Sequence, residues 1–255
     1  MEIVENLDIV VGGVQKAGTT SLYRYFLDHA GLRAPNRKEL HFFDNESVDW
    51  GCPDYTKLYA MLGPPDGERR SFDITPIYLF WPPALARIRA YNSHCKLIFI
   101  FRDPIERAWS HWRMEARRQA DDMPFGAAIR EGRGRLANAA PLGMAWRVFS
   151  YVERGFYADQ LRRLFGLFPR EQILLLRSAD LQHDHQAVLG RIASFLGISD
   201  FPALLPHTVF QAPEDGAVLG KGDVDHLREL FYDDVLAFSE LSGLAVDDWL
   251  TVAHK

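Results

Sequence analysis

The sequence predicts an α/β fold in three layers, in which helices flank a central parallel sheet. Short apolar runs of strand length alternate with amphipathic stretches of helix length along the 255 residues, and the links between them are short. Such alternation favours a parallel, doubly wound sheet because each crossover helix returns the chain to the same end of the sheet. Ligands bind such sheets beyond the carboxyl ends of their strands, so polar motifs that follow strands are the candidate sites.

Four apolar segments are predicted as strands. Lys96–Phe101 is the clearest, because the apolar run after its first residue suits a strand that is covered on both faces. The segment at 71–75 is shorter and is stopped by Pro76. The predicted strands are residues 7–14, 71–75, 96–101 and 172–176.

Helices are predicted where proline or hydroxyl residues can occupy a first turn. Pro82 and Pro83 suit the start of one helix, and Pro104 suits the start of another. The predicted helices are residues 18–29, 82–91, 104–118, 146–168 with an interruption at Gly155, a segment that follows the last strand and ends near residue 196, and 224–241. The predicted loops are residues 120–145, a candidate lid or acceptor-binding loop, and 201–222. With no internal repeat, the chain is predicted to form a single domain over residues 1–255.

Composition excludes several classes of partner. The formal net charge of −5 argues against a nucleic-acid-binding surface. No apolar stretch is long enough to span a membrane or has the form of a secretory signal. Cys52 and Cys95 cannot make a disulfide framework or a zinc site, so we expect a reducing, cytoplasmic location. Nothing in the sequence specifies an oligomeric state.

The most informative motif follows the first predicted strand and describes a phosphate site. Its glycines turn the chain, Lys16 adds a mobile positive charge, and Thr19 and Thr20 place hydroxyls in the first turn of the next helix. The spacing from Gly13 to Gly18 matches the Walker A loop, so the three-layer fold is predicted to be P-loop-like. The lysine that Walker A has after its second glycine is missing, because Thr19 stands there and the lysine lies inside the loop. For this motif alone, an ordinary strand–turn–helix corner is the alternative.

A second motif follows the strand that ends at Phe101. Arg102 leaves that strand, and Ser110 lies two helical turns into the next element. An arginine fork matches phosphate oxygens and a hydroxyl adds a donor, so this is a second candidate anion site. The alternative is a structural ion pair of Arg102 with Asp103 or Glu106. Two separate anion sites suit a nucleotide that carries phosphates at two positions.

These motifs, taken in order, resemble the sulfotransferases that use 3′-phosphoadenosine 5′-phosphosulfate (PAPS). Within that superfamily the chain resembles the carbohydrate type, including the sulfotransferase domain of heparan sulfate N-deacetylase/N-sulfotransferases. The resemblance implies transfer of the sulfuryl group of PAPS to a hydroxyl of a carbohydrate or a glycosylated small metabolite, leaving adenosine 3′,5′-bisphosphate. It covers most of the chain and rests on residues 13–22, 38–43, 102–110, 155–157 and 172–176, and more weakly on 220–222.

The resemblance assigns the donor to two groups of residues. The 5′-phosphosulfate is expected on the first loop, where Lys16 would counter charge on the bridging oxygen as the sulfuryl group leaves. The 3′-phosphate is expected on Arg102 and Ser110, while Tyr157 contacts the nucleotide and Phe210 stacks on adenine. The residues assigned to the donor are Gln15, Lys16, Ala17, Gly18, Thr19, Thr20, Arg102, Ser110, Tyr157, Phe210, Lys221 and Gly222.

Glu39 falls where the carbohydrate enzymes place their catalytic base. A carboxylate near the sulfuryl group can accept the proton of an attacking hydroxyl. Burial by the phenylalanines that follow should raise its proton affinity, while Lys16 and Lys38 should oppose this effect. His41 is the rival base, because cytosolic sulfotransferases generally use a histidine. An orienting or packing role for His41 and a solvated charge for Glu39 are the alternatives.

The acceptor is expected beside these two residues. Asp73 follows a predicted strand and could line the acceptor pocket, although it could equally cap a turn. Positioning and electrostatics dominate in-line transfer, so no metal is required. His183 and His185 show no obvious third ligand and are expected on a solvated face. The residues expected to contact the acceptor are Glu39, His41, Asp73, Thr75 and Tyr78.

Two other functions are compatible with parts of this pattern. A P-loop kinase or NTPase would need a lysine directly after Gly18 and an aspartate such as Asp73 or Asp103 to hold Mg²⁺. A catalytically silent nucleotide-binding module would need neither Lys16 nor Glu39, so their presence together speaks against it.

Overall fold

A five-stranded parallel sheet is central to the structure, a computed structural model that describes residues 7–65, 67, 69–206 and 218–253. The strands are β1 (Ile9–Gly13), β2 (Leu32–Arg33), β3 (Arg70–Ile74), β4 (Lys96–Phe101) and β5 (Ile173–Arg177). Within the described residues their order is β2-β3-β1-β4-β5, and every pairing is parallel.

Helices flank and connect these strands, which confirms the predicted α/β class with a central parallel sheet. The helices are α1 (Thr19–Leu27), α2 (Thr56–Leu62), α3 (Ala84–Tyr91), α4 (Pro104–Arg117), α5 (Phe125–Ala128), α6 (Gly134–Ala137), α7 (Met144–Val148), α8 (Tyr157–Leu167), α9 (Ser178–His183), α10 (His185–Leu196) and α11 (Lys221–Ser242). Single 3₁₀ turns lie at Glu131–Arg133, Glu153–Gly155 and Arg170–Gln172.

Strand β1 lies in the middle of the sheet, and its carboxyl end organises the chain around it. All five of its residues are buried between β3 and β4. Beyond the end of β3, the Thr75 N–H donates to the carbonyl of Val11 at 3.2 Å, and the Leu79 N–H donates to the carbonyl of Gly12 at 2.9 Å. The segment after β3 is therefore fixed against the end of β1, where the glycine motif begins.

The chain separates into two compact units, and the first contains the whole sheet. Unit 1 consists of Met1–Phe101 and Arg163–Gln211. Large apolar side chains of the sheet, such as Phe72 and Phe99, are completely buried. Burying a side chain of that size contributes about 1.5–3 kcal/mol, so the sheet core is a rigid base for the loops at its edge.

Unit 2 consists of Arg102–Arg162 and Ala212–Lys255, and its regular structure is helical in the described residues. Asp103 organises it, because one carboxylate oxygen accepts hydrogen bonds from two N–H groups in the first turn of α4, at 2.9 and 3.0 Å. Its other oxygen accepts from the N–H and the hydroxyl of Thr251, at 2.9 and 2.7 Å. One side chain thus begins α4 and ties the C-terminal segment to it.

The interruption predicted at Gly155 within the helix over 146–168 is present, but it is longer than expected, because the chain forms α7, a 3₁₀ turn and α8 there. A Cβ at Gly155 would lie 2.6 Å from the ring of Phe231, so the turn allows an approach that other residues would block. Helix α8 then begins afresh because the Asp234 carboxylate accepts from the N–H of Tyr157 at 2.7 Å. Asp234 is distant in sequence, so the local pattern indicated the interruption at Gly155 but not the side chain that caps α8.

Other boundaries also depart from the sequence prediction. The predicted loop at 120–145 contains α5, α6 and the start of α7, and the predicted helix after β5 is divided into α9 and α10. The division occurs because Asp184 caps α10 by accepting from the N–H of Ala187 at 3.0 Å. The sequence analysis did not predict β2 or α2. Among the described residues, no helix combines the length and apolar character needed to cross a bilayer.

Candidate active site

The glycine motif forms the turn between β1 and α1 in unit 1. Gly18 has a φ of 110°, a conformation that favours glycine, and it directly precedes the first residue of α1. Lys16 also has a positive φ, 73°. The Val14 N–H donates to the carbonyl of Ile100 at 2.8 Å, which fixes the start of the turn against β4. The predicted strand–glycine turn–helix arrangement is therefore present.

The N-terminus of α1 has the properties of an anion site. Its first turn contains no acidic residue, and no side chain caps it. The first N–H groups of any helix lack partners within the helix, and the helix dipole favours negative charge at this end. Of the predicted donor residues, Gln15, Lys16 and Thr20 are partly exposed, while Ala17, Gly18 and Thr19 are buried. Contact of these residues with a phosphate stays a prediction.

A chain of charged and polar contacts joins this helix to Glu39. The Lys38 ammonium donates to the Thr20 hydroxyl at 2.8 Å and to one Glu39 carboxylate oxygen at 2.7 Å. The other Glu39 oxygen lies 3.5 Å from Nε2 of His41. Nδ1 of His41 bonds to the buried carboxylate of Asp44 at 2.9 Å. The predicted base and its predicted rival are thus parts of one network that reaches the phosphate turn.

Two opposing effects set the charge of Glu39. Burial alone would raise its pKa, but hydrogen bonds from His41 and Lys38, together with their positive charges, lower the pKa to about 2. The sequence analysis named Lys38 as an opposing charge but missed His41. About one third of the Glu39 side chain remains exposed. At neutral pH it is therefore an ionised carboxylate that an incoming molecule can reach.

His41 is held in the opposite charge state. Burial alone would lower its pKa, but hydrogen bonds to Asp44 and Glu39 and their negative charges raise the pKa to about 9. An imidazolium ion has no lone pair with which to accept a proton. In this arrangement the ionised Glu39 has lone pairs that can accept a proton and the protonated His41 ring has none; which of the two acts as the base stays a prediction.

Three predicted acceptor contacts lie beneath this network. Asp73, Thr75 and Tyr78 are completely buried and form hydrogen bonds with one another and with backbone N–H groups of residues 40–42. The hydrogen bonds of these side chains are therefore with one another and with the loop that carries Glu39. Direct contact of these three residues with an acceptor stays a prediction.

The residues predicted for the 3′-phosphate that the structure describes belong to unit 2. Nε of Arg102 donates to Glu106 at 2.8 Å, which is the ion pair considered as its alternative role. The buried Tyr157 hydroxyl donates to the backbone carbonyl of Arg102 at 2.9 Å. Ser110 is partly exposed on α4. Contact of these residues with a nucleotide stays a prediction.

The C-terminal members of the predicted donor set begin α11 or lie before it. Lys221 and Gly222 are exposed in its first turn, and the carbonyl of Gly222 accepts from Arg130 at 3.0 Å. Phe210, predicted to stack on adenine, lies outside the described residues.

The geometry disfavours the kinase and NTPase alternatives. Asp103 uses both carboxylate oxygens in hydrogen bonds to α4 and Thr251. One carboxylate oxygen of Asp73 accepts hydrogen bonds from the Leu40 N–H and the Thr75 hydroxyl, and the other accepts from the Tyr78 hydroxyl. Both carboxylates are buried and already hold neighbouring parts of the chain through these bonds. Within the described part of the chain, no group of three or more His, Cys, Asp and Glu side chains could hold a metal ion.

Comparisons with known proteins agree with these observations. Residues 6–229 match the sulfotransferase domain family. The chain belongs to this family. It is 32% identical over 189 residues to heparan sulfate glucosamine 3-O-sulfotransferase 3B1 of Homo sapiens, covering 74% of this chain and 45% of that protein. It is 26% identical over 209 residues to the bifunctional heparan sulfate N-deacetylase/N-sulfotransferase 3 of Homo sapiens, covering 78% and 22%. The chain thus spans less than half of the length of these relatives.

Solved sulfotransferase structures share the fold of this family member. A sulfotransferase from Alicyclobacillus acidocaldarius superposes with a TM-score of 0.78 at 24% identity, covering 95% of this chain and 98% of that one. Mouse sulfotransferase SULT7A1, solved in complex with PAP, gives a TM-score of 0.56 at 15% identity, covering 94% and 89%. The predicted P-loop-like sulfotransferase fold is confirmed.

Sequence reasoning missed Asp44 and part of the role of Lys38 in the Glu39 network. Asp44 was not singled out, although its position three residues after His41 allows both side chains to meet across one turn of chain. Lys38 was noticed only as a nearby charge, because its bond to Thr20 joins segments 18 residues apart. The contact of Asp44 with His41 could have been predicted from their spacing in the sequence. The contact of Lys38 with Thr20 could not, because it depends on the three-dimensional fold.

Proposed function

We propose that this sulfotransferase-family chain transfers the sulfuryl group of PAPS to a hydroxyl of a carbohydrate or a glycosylated small metabolite. The observation that carries the proposal is the contact of the Lys38 ammonium with both Glu39 and Thr20. It connects a carboxylate able to accept a proton with the first turn of a helix suited to a phosphate. Sulfuryl transfer to a hydroxyl requires both functions in proximity.

In the proposed reaction, the acceptor oxygen attacks sulfur as the bond between sulfur and the 5′-phosphate oxygen breaks. The acceptor proton passes to Glu39, and adenosine 3′,5′-bisphosphate leaves. Negative charge builds on the departing phosphate oxygen, where Lys16 and the N-terminus of α1 would stabilise it. Because the transition state is expected to be loose, positioning and electrostatics account for most of the rate enhancement.

We assign the role of base to Glu39 and an orienting role to His41. Glu39 is ionised at neutral pH, whereas His41 carries a proton up to a pKa of about 9. The low pKa of Glu39 makes it a weak base in this arrangement. Donor phosphates that attract Lys38 away from Glu39 would remove one of the cations that lower it, which would raise its proton affinity when the donor is bound.

We further propose that Arg102, Ser110, Lys221 and Gly222 contact the 3′-phosphate, as the family resemblance implies. A bidentate guanidinium and a hydroxyl are suited to phosphate oxygens. In this proposal Arg102 would exchange its bond to Glu106 for the phosphate when the donor binds. Selection of PAPS over ATP follows, because ATP carries no 3′-phosphate.

The acceptor class is inferred from the relatives. Their printed names include a 3-O-sulfotransferase and an N-sulfotransferase of heparan sulfate, so a carbohydrate is the proposed acceptor. Labelled PAPS should be incubated with a panel of glycans and natural-product glycosides. We expect a sulfated glycan and adenosine 3′,5′-bisphosphate in equal amounts. Transfer of phosphate from ATP with Mg²⁺, and none from PAPS, would overturn the proposal.

A further inference from the structure

The loop that carries the proposed base has an unusual backbone. Glu39 has a φ of 59° and His41 a φ of 52°, so two residues in a run of three adopt the left-handed conformation without being glycine. Such conformations cost energy and persist only where the surroundings impose them. Some feature of the fold must therefore hold residues 39–42 in place.

Two buried side chains from the segment at the end of β3 supply that restraint. Asp73 accepts a hydrogen bond from the N–H of Leu40 at 3.3 Å through one carboxylate oxygen. Its other oxygen accepts from the Tyr78 hydroxyl at 2.7 Å, and that hydroxyl accepts in turn from the N–H of Phe42 at 3.2 Å. Hydrogen bonds to Asp73 and Tyr78 thus fix the backbone N–H groups on both sides of His41, those of Leu40 and Phe42.

Thr75 completes the arrangement. Its hydroxyl donates to Asp73 at 2.8 Å and accepts from the His41 N–H at 3.5 Å, the longest contact of the set. These side chains are completely buried, as is the Asp44 carboxylate that holds the His41 ring. Buried polar bonds of this kind are costly to break, so the restraint is stiff.

We propose that Asp73 and Tyr78 are positioning residues that hold residues 39–42 in the conformation that directs Glu39 and His41 into the active site. This inference rests on the proposed function, because it takes Glu39 as the base. In this proposal the two side chains act on the reaction through the loop backbone, to which they are hydrogen-bonded. Rate depends on such positioning, since misplacement by about 1 Å can reduce turnover about 100-fold.

The first test uses His41 as a reporter and needs no acceptor. Its ring pKa should be measured by NMR, with His41→Gln identifying the signal. In Tyr78→Phe, which removes a hydroxyl but no charge, we expect the pKa to fall from about 9 towards 6.5 as the ring loses its alignment with Asp44 and Glu39. Asp73→Asn should act in the same direction. An unshifted pKa in a folded Tyr78→Phe protein would overturn the proposal.

Asp8→Asn is the matched control. Asp8 also accepts bonds across the sheet, from the N–H and hydroxyl of Ser71 at 2.7 and 2.9 Å, but it precedes β1 and so lies at the opposite end of the strands. Its loss should lower stability and leave the His41 pKa unchanged. An equal shift in Asp8→Asn and Tyr78→Phe would show a general structural effect and would contradict the proposal.

A second test measures sulfate transfer from labelled PAPS to a heparan sulfate oligosaccharide. Asp73→Asn should lower kcat about 10- to 100-fold with little change in donor affinity. Combined with Glu39→Gln, it should add little, because both changes remove the same function. A multiplicative loss would contradict action through Glu39. Full activity of Glu39→Gln alone would overturn the assignment of Glu39 as the base. The restraint on the loop would still be tested independently by the pKa of His41 measured by NMR.

Discussion

At the scale of single residues, the alternation of charge around Glu39 explains how a carboxylate stays ionised in a half-buried site. Lys38 and His41 flank it as cations, and the buried Asp44 keeps His41 protonated. From the sequence, burial by the neighbouring phenylalanines was expected to raise the proton affinity of Glu39, and Lys16 and Lys38 were expected to oppose this effect. Burial does act in that direction and is the largest single effect on the pKa of Glu39, but the hydrogen bonds and charges of His41 and Lys38 together outweigh it.

Replacing Glu39 with glutamine should lower kcat by about 10²- to 10⁴-fold, because the amide cannot accept the acceptor proton. The dissociation constant for adenosine 3′,5′-bisphosphate should change little, since that ligand lacks the sulfuryl group. Transfer kinetics and calorimetry measure the two quantities. Glu171→Gln, at an exposed position in the same unit, is the matched control. Normal turnover of Glu39→Gln would show that Glu39 is not the base.

The raised pKa of His41 predicts a specific dependence of stability on pH. A histidine whose folded pKa is about 9 against an ordinary value of 6.5 stabilises the protein fully below pH 6.5, and this contribution is lost as pH rises through 9. Urea unfolding of the protein and of His41→Gln at several pH values isolates the effect. The stability difference should shrink between pH 6.5 and 9.5. A difference that grows with pH would contradict the assigned charge state.

At the scale of elements, patterns within one segment were predicted well, and contacts made by distant residues were not. The apolar run of β4 and the proline at the start of α4 correctly predicted both elements. The break at Gly155 was predicted too, but not the cap of α8 by Asp234, which is 77 residues further along the chain. Sequence patterns record what a segment prefers, whereas such a cap depends on which segments meet in three dimensions.

The cap of α4 gives a stability prediction. Asp103→Ala removes two bonds to the first turn of α4 and two to Thr251. At about 1 kcal/mol for the cap and about 1 kcal/mol for each further bond, the loss is roughly 3 kcal/mol, or about 5–10 °C in Tm. Calorimetry checks this. Asp159→Ala, at an exposed site on α8, should shift Tm little, and an equal shift in both would argue against the assigned role.

At the scale of the whole molecule, the predicted donor residues are divided between the two units. Those assigned to the 5′-phosphosulfate lie in unit 1, and the described ones assigned to the 3′-phosphate lie in unit 2. The ordered set of motifs predicted the family and the fold because each motif follows an element that the pattern also predicts. The contacts that hold the Glu39 loop could not be predicted, because they join residues 40–42 to Asp73 and Tyr78, which are 33 to 36 residues further along the chain.

Arg102→Ala should weaken binding of adenosine 3′,5′-bisphosphate about tenfold or more, since charged hydrogen bonds to a phosphate are lost. Binding of adenosine 5′-phosphate should change much less, because that nucleotide has no 3′-phosphate. Calorimetry with both nucleotides gives the ratio, and Arg162→Ala is the exposed control. If Arg102 serves only its ion pair with Glu106, the ratio will stay unchanged in Arg102→Ala.

The most direct test of the central claim, that unit 1 presents a phosphate turn for a sulfuryl donor, is nucleotide binding by calorimetry. Adenosine 3′,5′-bisphosphate should bind at least about tenfold more tightly than ATP with Mg²⁺, a difference of about 1.4 kcal/mol, and Lys16→Ala should weaken this binding. Tighter binding of ATP with Mg²⁺, or bisphosphate binding that is insensitive to Lys16→Ala, would contradict the account.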